Sequence, residues 1–442
     1  MIGRHFTSRD KILFHKANVQ YSYLSDWSEL PKIKREKDFQ DNNNNKFKEL
    51  RFVYTVPENI EVEIEKYGKF SVIYQFFEPN KLESIDFKQY ASLIIKPNEK
   101  LSVKDFDSKF IRPLNNFLTF ATDRANSITK LEFYSYDGDV NVDIENTPYK
   151  KEQFPIEAIY NTYYPERKEQ DRLLFQHEML FSISDIDNLP STLERWFDSW
   201  EKLASIFNLF FSIRYKPDIY LENKFLNLVQ AAESDHRRRR TDKTNLPDDE
   251  SENQRLNAVL DCLNSLSNEE YKKWAKDKFE KKNYGLKLKP RLIDLTKLIP
   301  YVTNQLISVD NFGYDLYFLA VAELLNKEYF RLLNFYFHTL IQQINEIQQI
   351  NDQKKELFCA KITATRNDFV HDNEKKHEKS AKLEELPELI ELLSFILQAC
   401  FLMELGFDSK ECYQLLNRNI RYQYTVERVR KKKYFDCLKE NL

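Results

Sequence analysis

The chain has 442 residues, of which 67 are Lys or Arg and 70 are Asp or Glu, so its formal net charge is −3. This length predicts about two or three domains, and a hydrophobic content of 42% excludes wholesale disorder. Only six glycines occur, and neither GxGxxG nor GxxxxGK followed by Ser or Thr is present. We therefore expect no nucleotide-binding loop of either kind.

The N-terminus leads into no apolar run, and no stretch of about 18 apolar residues is seen elsewhere. We therefore expect no secretory signal, no membrane span and a cytoplasmic protein. The five cysteines are widely spaced and form no CxxC pair: Cys262, Cys359, Cys400, Cys412 and Cys437. They are predicted to be reduced and mostly buried thiols, without a disulfide framework, a zinc site or a cofactor.

The first half of the chain has the patterns of a sheet with a few helices. Hydrophobic residues alternate at 60–64, 70–76 and 140–144, which is typical of strands with one buried face. Further strands are predicted at 51–56, 91–95, 129–135 and 172–183, and the Asn-rich segment 41–45 is predicted to be a loop. Helical stripes begin near Asp105 and after Pro190, and we expect Trp196 and Trp200 of the second stripe to pack in the core.

Beyond Pro217 the patterns become helical. Helices are predicted at 221–236, 256–282, 291–308, 316–349 (one long helix or two), 353–372 and 387–405, with a polar loop at 241–254 and Gly406 ending the last helix. The predicted fold class is α+β. We expect a β-rich N-terminal domain with a few helices at 1–215, followed by an all-α helical bundle at 216–442.

The segment Arg366-Asn367-Asp368-Phe369-Val370-His371 carries the residue types that cleave RNA. Cleavage by the 2′-hydroxyl needs proton transfers, which a histidine can perform near neutral pH. It also needs stabilisation of extra negative charge on the phosphate, which an arginine fork can supply. Asn367 and His371 are one helical turn apart, so Asn367 is placed to orient the imidazole or the scissile phosphate. The alternative is that Arg366 and His371 only cap helix carbonyls.

Helical geometry separates the two charged groups of this segment. Residues five apart point about 140° away from each other and lie about 7.5 Å apart along the axis. Arg366 and His371 therefore converge only if the helix frays near His371 or if two copies of the chain meet. A two-fold dimer would line one cleft with two arginines and two histidines, so we expect a composite site between protomers.

At these residues the chain resembles the HEPN superfamily of ribonucleases, whose signature is Arg, a polar residue, about three variable residues and His. Residues 226–237, which end in Glu233-Ser234-Asp235-His236-Arg237, look like the opening helix of the ApeA-like branch. Residues 113–124 are similar to part of the β-rich domain that precedes HEPN in that branch.

The resemblance implies an anti-phage effector that acts by abortive infection. It implies a metal-independent endoribonuclease that works as a homodimer or larger symmetric assembly, with transfer RNA as a candidate target. The N-terminal domain would then be a sensor or regulator triggered by a phage component. The alternative function is a catalytically inactive HEPN sensor or scaffold that binds a phage component and dimerises.

Other residues are candidates for supporting or RNA-binding roles. Glu233, His236 and Asp368 are predicted to support Arg366 or His371, the alternative for Glu233 and His236 being a buried or helix-end polar pair. RNA phosphates are the predicted ligands of Arg237, Arg238, Arg239 and Arg240, and of Arg430, Lys431, Lys432 and Lys433. The alternatives are a solvated loop for the arginine run, and an amphipathic element packed on the bundle for the basic tail from Arg418 to Lys433.

Overall fold

The computed structural model describes residues 12–30, 34–39, 47–77, 88–135, 155–159, 173–239, 355, 357–370 and 380–432. The chain divides into two compact units. Unit 1 comprises residues 1–204, 214–217 and 401–423, and unit 2 comprises residues 205–213, 218–400 and 424–442. The predicted cut near residue 215 stays a prediction. The segments predicted at 41–45, 140–144, 241–254, 256–282, 291–308 and 316–349 lie outside the described residues.

Unit 1 is built on a six-stranded antiparallel sheet with the order β4-β5-β6-β1-β7-β8. Its strands are β1 (Lys16–Tyr21), β4 (Ile60–Ile64), β5 (Gly68–Phe77), β6 (Lys88–Lys96), β7 (Ile128–Tyr134) and β8 (Ile156–Glu157). A separate hairpin pairs β2 (Lys34–Phe39) with β3 (Phe47–Val53). Along β4, Val62 and Ile64 are buried while Glu61 and Glu63 are exposed, as the alternation predicts.

Helices cover one face of this sheet. They are the short α1 (Leu24–Trp27), a continuous helical stretch made of α2 (Val103–Phe106), a π-helical turn (Asp107–Ile111) and α3 (Arg112–Thr122), and α4 (Leu189–Tyr215). Phe70 of β5 stacks on Phe197 of α4 with 5.4 Å between ring centroids. Trp196 of α4 is buried, and its indole N–H donates to the Pro113 carbonyl at 2.9 Å. The prediction that Trp196 packs in the core is confirmed.

The predicted strand at 172–183 is wrong. Its residues from 173 onward form irregular backbone with 3-10 turns at Gln176–Glu178 and Ile183–Asp185. Carboxylates bend the chain here, because Glu178 accepts from the Phe175 amide at 2.9 Å and Asp185 accepts from the Ser182 amide at 2.8 Å. The strand predicted at 51–56 also ends earlier, at Val53.

The described residues of unit 2 are helical except for the connections at 218–220 and 380–382. It contains residues 205–213 of α4, α5 (Leu221–Arg239), α6 (residues 357–370), most of α7 (Leu386–Leu405) and the end of α9 (Ile420–Lys432). The rest of α7, α8 (Ser409–Arg418) and the start of α9 belong to unit 1. An antiparallel sheet followed by helices confirms the predicted α+β class.

The helical stretch Leu383–Leu405 is long and apolar enough to cross a membrane, which differs from the expectation that no such stretch exists. Of its most apolar window, 83% is buried inside the protein. Cys400 and Leu402 on this helix are almost completely covered. It is therefore consistent with the core helix of a soluble protein.

Candidate functional site

Helix α6 presents the predicted catalytic segment on a well-anchored backbone. Phe358, Cys359, Ile362 and Thr365 of this helix are completely buried. Arg366, Asn367 and Asp368 are half-buried, and Val370 is 49% exposed. The buried positions recur at helical spacing and hold one face in the core, which leaves the end of the helix partly open to solvent. His371 lies outside the described residues.

The Arg366 and Asn367 side chains contact each other. Nη1 of Arg366 donates to Oδ1 of Asn367 at 3.2 Å. Among the residues that the structure describes, Arg366 forms no ion pair with a carboxylate. A guanidinium has five N–H donors, and the contact between Arg366 and Asn367 is the hydrogen bond that the described residues give it, so within the described part of the chain donors remain for an anion.

Two side chains on α6 fasten the segment that precedes α7. The hydroxyl of Thr365 donates to the Lys361 carbonyl at 2.8 Å and accepts from the Ala381 amide at 2.7 Å. Lys361 forms an ion pair with Glu385 at 2.5 Å, and both side chains are largely covered. Glu385 also accepts from the Lys382 amide. These contacts position the backbone beside Arg366, and no motif in the sequence singled them out.

Helix α5 contacts the predicted catalytic segment, as expected from the sequence. Phe225 meets Phe369 edge to face, with 5.9 Å between centroids. Further along α5, His236 is buried with 4% exposure, and Glu233 accepts from Arg237 at 2.9 Å. This pair lies within α5, and a supporting role of Glu233, His236 or Asp368 toward Arg366 stays a prediction.

Two arginines of the predicted RNA-binding run contact other side chains of unit 2. Arg237 is exposed and pairs with Glu233, while Arg238 donates to the Ser205 hydroxyl at 2.9 Å. Pairs of this kind on an exposed helix are weak, on the order of 0.5 kcal/mol, and they can be exchanged for phosphate contacts. Arg239 ends α5, and Arg240 lies outside the described residues.

Some residues of the basic tail pack inside the protein, and others are exposed. Arg418 makes a two-pronged ion pair with Asp185 at 2.6 and 2.7 Å, and Arg421 pairs with Asp123. Tyr422 is fully buried, whereas Tyr424 is 61% exposed. The start of α9 is therefore the amphipathic, packed element that was the alternative reading of the tail. RNA contact remains a prediction for Arg430, Lys431 and Lys432 at the end of α9, and for Lys433, which lies outside the described residues.

Over the described ranges, no three His, Cys, Asp or Glu side chains come close enough to hold a metal ion. Cys359, Cys400 and Cys412 are buried thiols that form no disulfide with a described residue, and the predicted burial is confirmed for these three. Burial, together with nearby carboxylates, raises the pKa of the Cys412 thiol to about 12. This thiol therefore stays protonated and is not a nucleophile.

Family models match one segment in each half of the chain. The family model for ApeA N-terminal domain 1 matches residues 1–196, and the model for Apea-like HEPN matches residues 319–411. No curated protein and no solved structure matches the chain. The second match includes Arg366, Asn367 and His371. The chain is an ApeA-like HEPN protein, with an ApeA N-terminal domain and an ApeA-like HEPN domain.

Proposed function

We propose that this protein is a metal-independent endoribonuclease of anti-phage defence, acting in the cytoplasm. Membership of the ApeA-like HEPN family supports a defence-associated nuclease. The observation that carries the proposal is the state of Arg366: it is half-exposed, bonded to Asn367, and held on a helix whose other face is completely buried. A fixed guanidinium with spare donors is suited to a phosphate in a strained transition state.

The proposed chemistry divides among three side chains. Arg366 binds the phosphate and offsets the charge that builds on it when the ribose 2′-oxygen attacks phosphorus. His371 transfers protons, to the leaving 5′-oxygen or from the 2′-hydroxyl. Asn367 holds the arginine fork and orients the scissile phosphate. The products are a 2′,3′-cyclic phosphate and a 5′-hydroxyl, and no step requires a metal ion.

A homodimer, or a larger symmetric assembly, would complete the site. Helix α6 is regular as far as Val370. If the helix continues by one residue, Arg366 and His371 diverge by about 140°. An isologous two-fold interface at the open end of α6 would bring the arginine of one protomer toward the histidine of the other. Arg237 and Arg238 would add sequence-independent contacts to a folded RNA, with transfer RNA as the candidate target.

The test is RNA-end sequencing after induction of the full-length chain. Arg366→Ala and His371→Ala are expected to reduce cleavage by at least about a thousandfold, with 2′,3′-cyclic ends found only in the wild type. Arg124→Ala is the matched control, because Arg124 is an exposed arginine of unit 1 outside the site. Purified wild-type protein should keep cutting in EDTA. Undiminished cleavage by a folded His371→Ala variant would refute the proposal.

The alternative is a catalytically inactive sensor or scaffold, and growth assays separate the two functions. A nuclease arrests growth on expression or infection, and the His371→Ala variant does not. Equal growth arrest by both forms, or none by either, would favour the scaffold. We further propose that the N-terminal domain is the regulator that responds to a phage component. Substitutions in unit 1 should then change the trigger for cleavage while leaving the chemistry of the RNA ends unchanged.

A further inference from the structure

Unit 1 contains a cavity of about 420 Å³ that no established role explains. Its floor is aromatic and is formed by Tyr67, Phe110, Phe197 and Trp200. The rings contact one another: Tyr67 lies 4.9 Å from Phe197 between centroids, and Phe110 lies 5.7 Å from Phe197. A cavity of this size with an apolar floor and a polar rim is typical of small-molecule sites.

Irregular backbone shapes the walls of this cavity. The π-helical turn Asp107–Ile111 carries Ser108, Lys109 and Phe110 into one wall. On the opposite helix α4, Leu203 leaves helical geometry at φ −110° and ψ 15°, between the lining residues Trp200 and Ala204. π-Helical turns are rare and occur frequently at functional sites, so this turn directs attention to the cavity that it lines.

The charges at the rim are mostly paired, except one carboxylate. Asp198 accepts from Lys66 and from the Tyr67 hydroxyl, each at 2.7 Å. These bonds lower the pKa of Asp198, and burial raises the pKa of Tyr67 to about 12, so the phenol stays neutral. Nζ of Lys109 lies 3.5 Å from Oε1 of Glu99. Glu201 lines the cavity and forms no ion pair with any described residue.

We propose that this cavity binds a small organic cation, a protonated amine attached to an apolar or aromatic body. The lining includes two lysines, and each is engaged by a carboxylate: Lys66 by Asp198 beside the cavity, and Lys109 by Glu99. Glu201 is then the lining charge left for a cationic ligand. The aromatic floor favours the same ligand, because ring faces attract cations. Glu201 would accept the ammonium group, and Trp200 and Phe197 would contact the body.

The experiment is calorimetric titration of the full-length chain near pH 7 with two probes of matched size, 2-phenylethylamine and its neutral isostere 2-phenylethanol, and with AMP as a larger, anionic probe. Saturable binding of the amine is expected, with no measurable binding of the alcohol or AMP. Glu201→Gln should weaken amine binding at least about tenfold, which corresponds to the loss of one charge-assisted hydrogen bond. Glu194→Gln is the matched control, since it removes the same charge from an exposed position of α4 outside the cavity.

A second variant tests the cavity itself. Ala204 is half-buried in the wall, and Ala204→Leu would fill part of the space. Amine binding should disappear in this variant while its thermal unfolding stays near that of the wild type. Equal binding of amine and alcohol, AMP binding that Lys109→Gln removes, or no saturable binding of any probe would each overturn the proposal. None of these results depends on RNA cleavage, so the amine-binding proposal and the endoribonuclease proposal are tested separately.

Discussion

Asp123 fastens three separate segments of unit 1, and its neutralisation should destabilise the protein strongly. Its carboxylate, only 6% exposed, pairs with Arg214 at 2.9 Å and with Arg421. Removing one partner from a buried ion pair costs about 3–5 kcal/mol. The arginines keep 15% and 28% exposure, and an amide oxygen still accepts a hydrogen bond. We therefore expect Asp123→Asn to lower the free energy of unfolding by about 2–3 kcal/mol.

Asparagine is the informative replacement, because Asp123 ends α3 in the left-handed conformation at φ 52°. Asparagine tolerates this conformation, so the variant isolates the charge. The assay is urea unfolding followed by tryptophan fluorescence, since Trp27, Trp196 and Trp200 lie in unit 1. Glu63→Gln is the control: its pair with Lys69 is over 60% exposed on both sides and contributes less than about 1 kcal/mol. Equal midpoints for both variants would refute this reasoning.

Acid, thiol reagents and a glycine substitution provide three further tests. Burial would raise the pKa of Asp185, but its bonds with Arg418 outweigh burial and hold that pKa below the usual 3.8. The stability that the ion pair contributes is full above about pH 4 and is lost as the pH falls through the folded pKa. The urea midpoints of the wild type and Asp185→Asn should therefore converge in acid. Cys412 should resist alkylation at pH 8 until the chain unfolds, measured by mass spectrometry, because burial keeps its thiol protonated. Gly68→Ala should cost at least about 2 kcal/mol in the same urea assay, since φ is +106° and a Cβ would lie 2.3 Å from the Lys96 carbonyl oxygen.

Much of the fold was predictable because the hydrophobic pattern of the sequence agrees with the burial of the residues. Strands β4 and β5 alternate as half-buried strands do, and α7 begins and ends where its proline and Gly406 predict. Strand β1 was missed for a physical reason. Ala17, Asn18 and Val19 of this central strand are buried in succession, so both faces of the strand are covered there. A strand buried on both faces shows no period of two.

The candidate site was predictable only as a short motif. Arg366, Asn367 and His371 have recognisable chemistry in sequence, but their anchoring depends on contacts between distant residues. Thr365 binds Ala381, and Lys361 pairs with Glu385. These partners are too far apart in sequence for a helical pattern to predict their contact. The cavity of unit 1 was missed altogether. Trp200 was expected in the core, and neither the π-helical turn nor the kink at Leu203 has a sequence signature.

The C-terminal segment 401–423 has a consequence for how the protein is made. It belongs to unit 1, where Phe401 meets Phe120 and Phe407 meets Phe181, besides the pairs made by Arg418 and Arg421. Domains usually fold in order as they leave the ribosome. Here the N-terminal unit lacks part of its core until nearly the whole chain has emerged. A ribosome that stalls before residue 401 therefore releases a chain in which neither unit is complete.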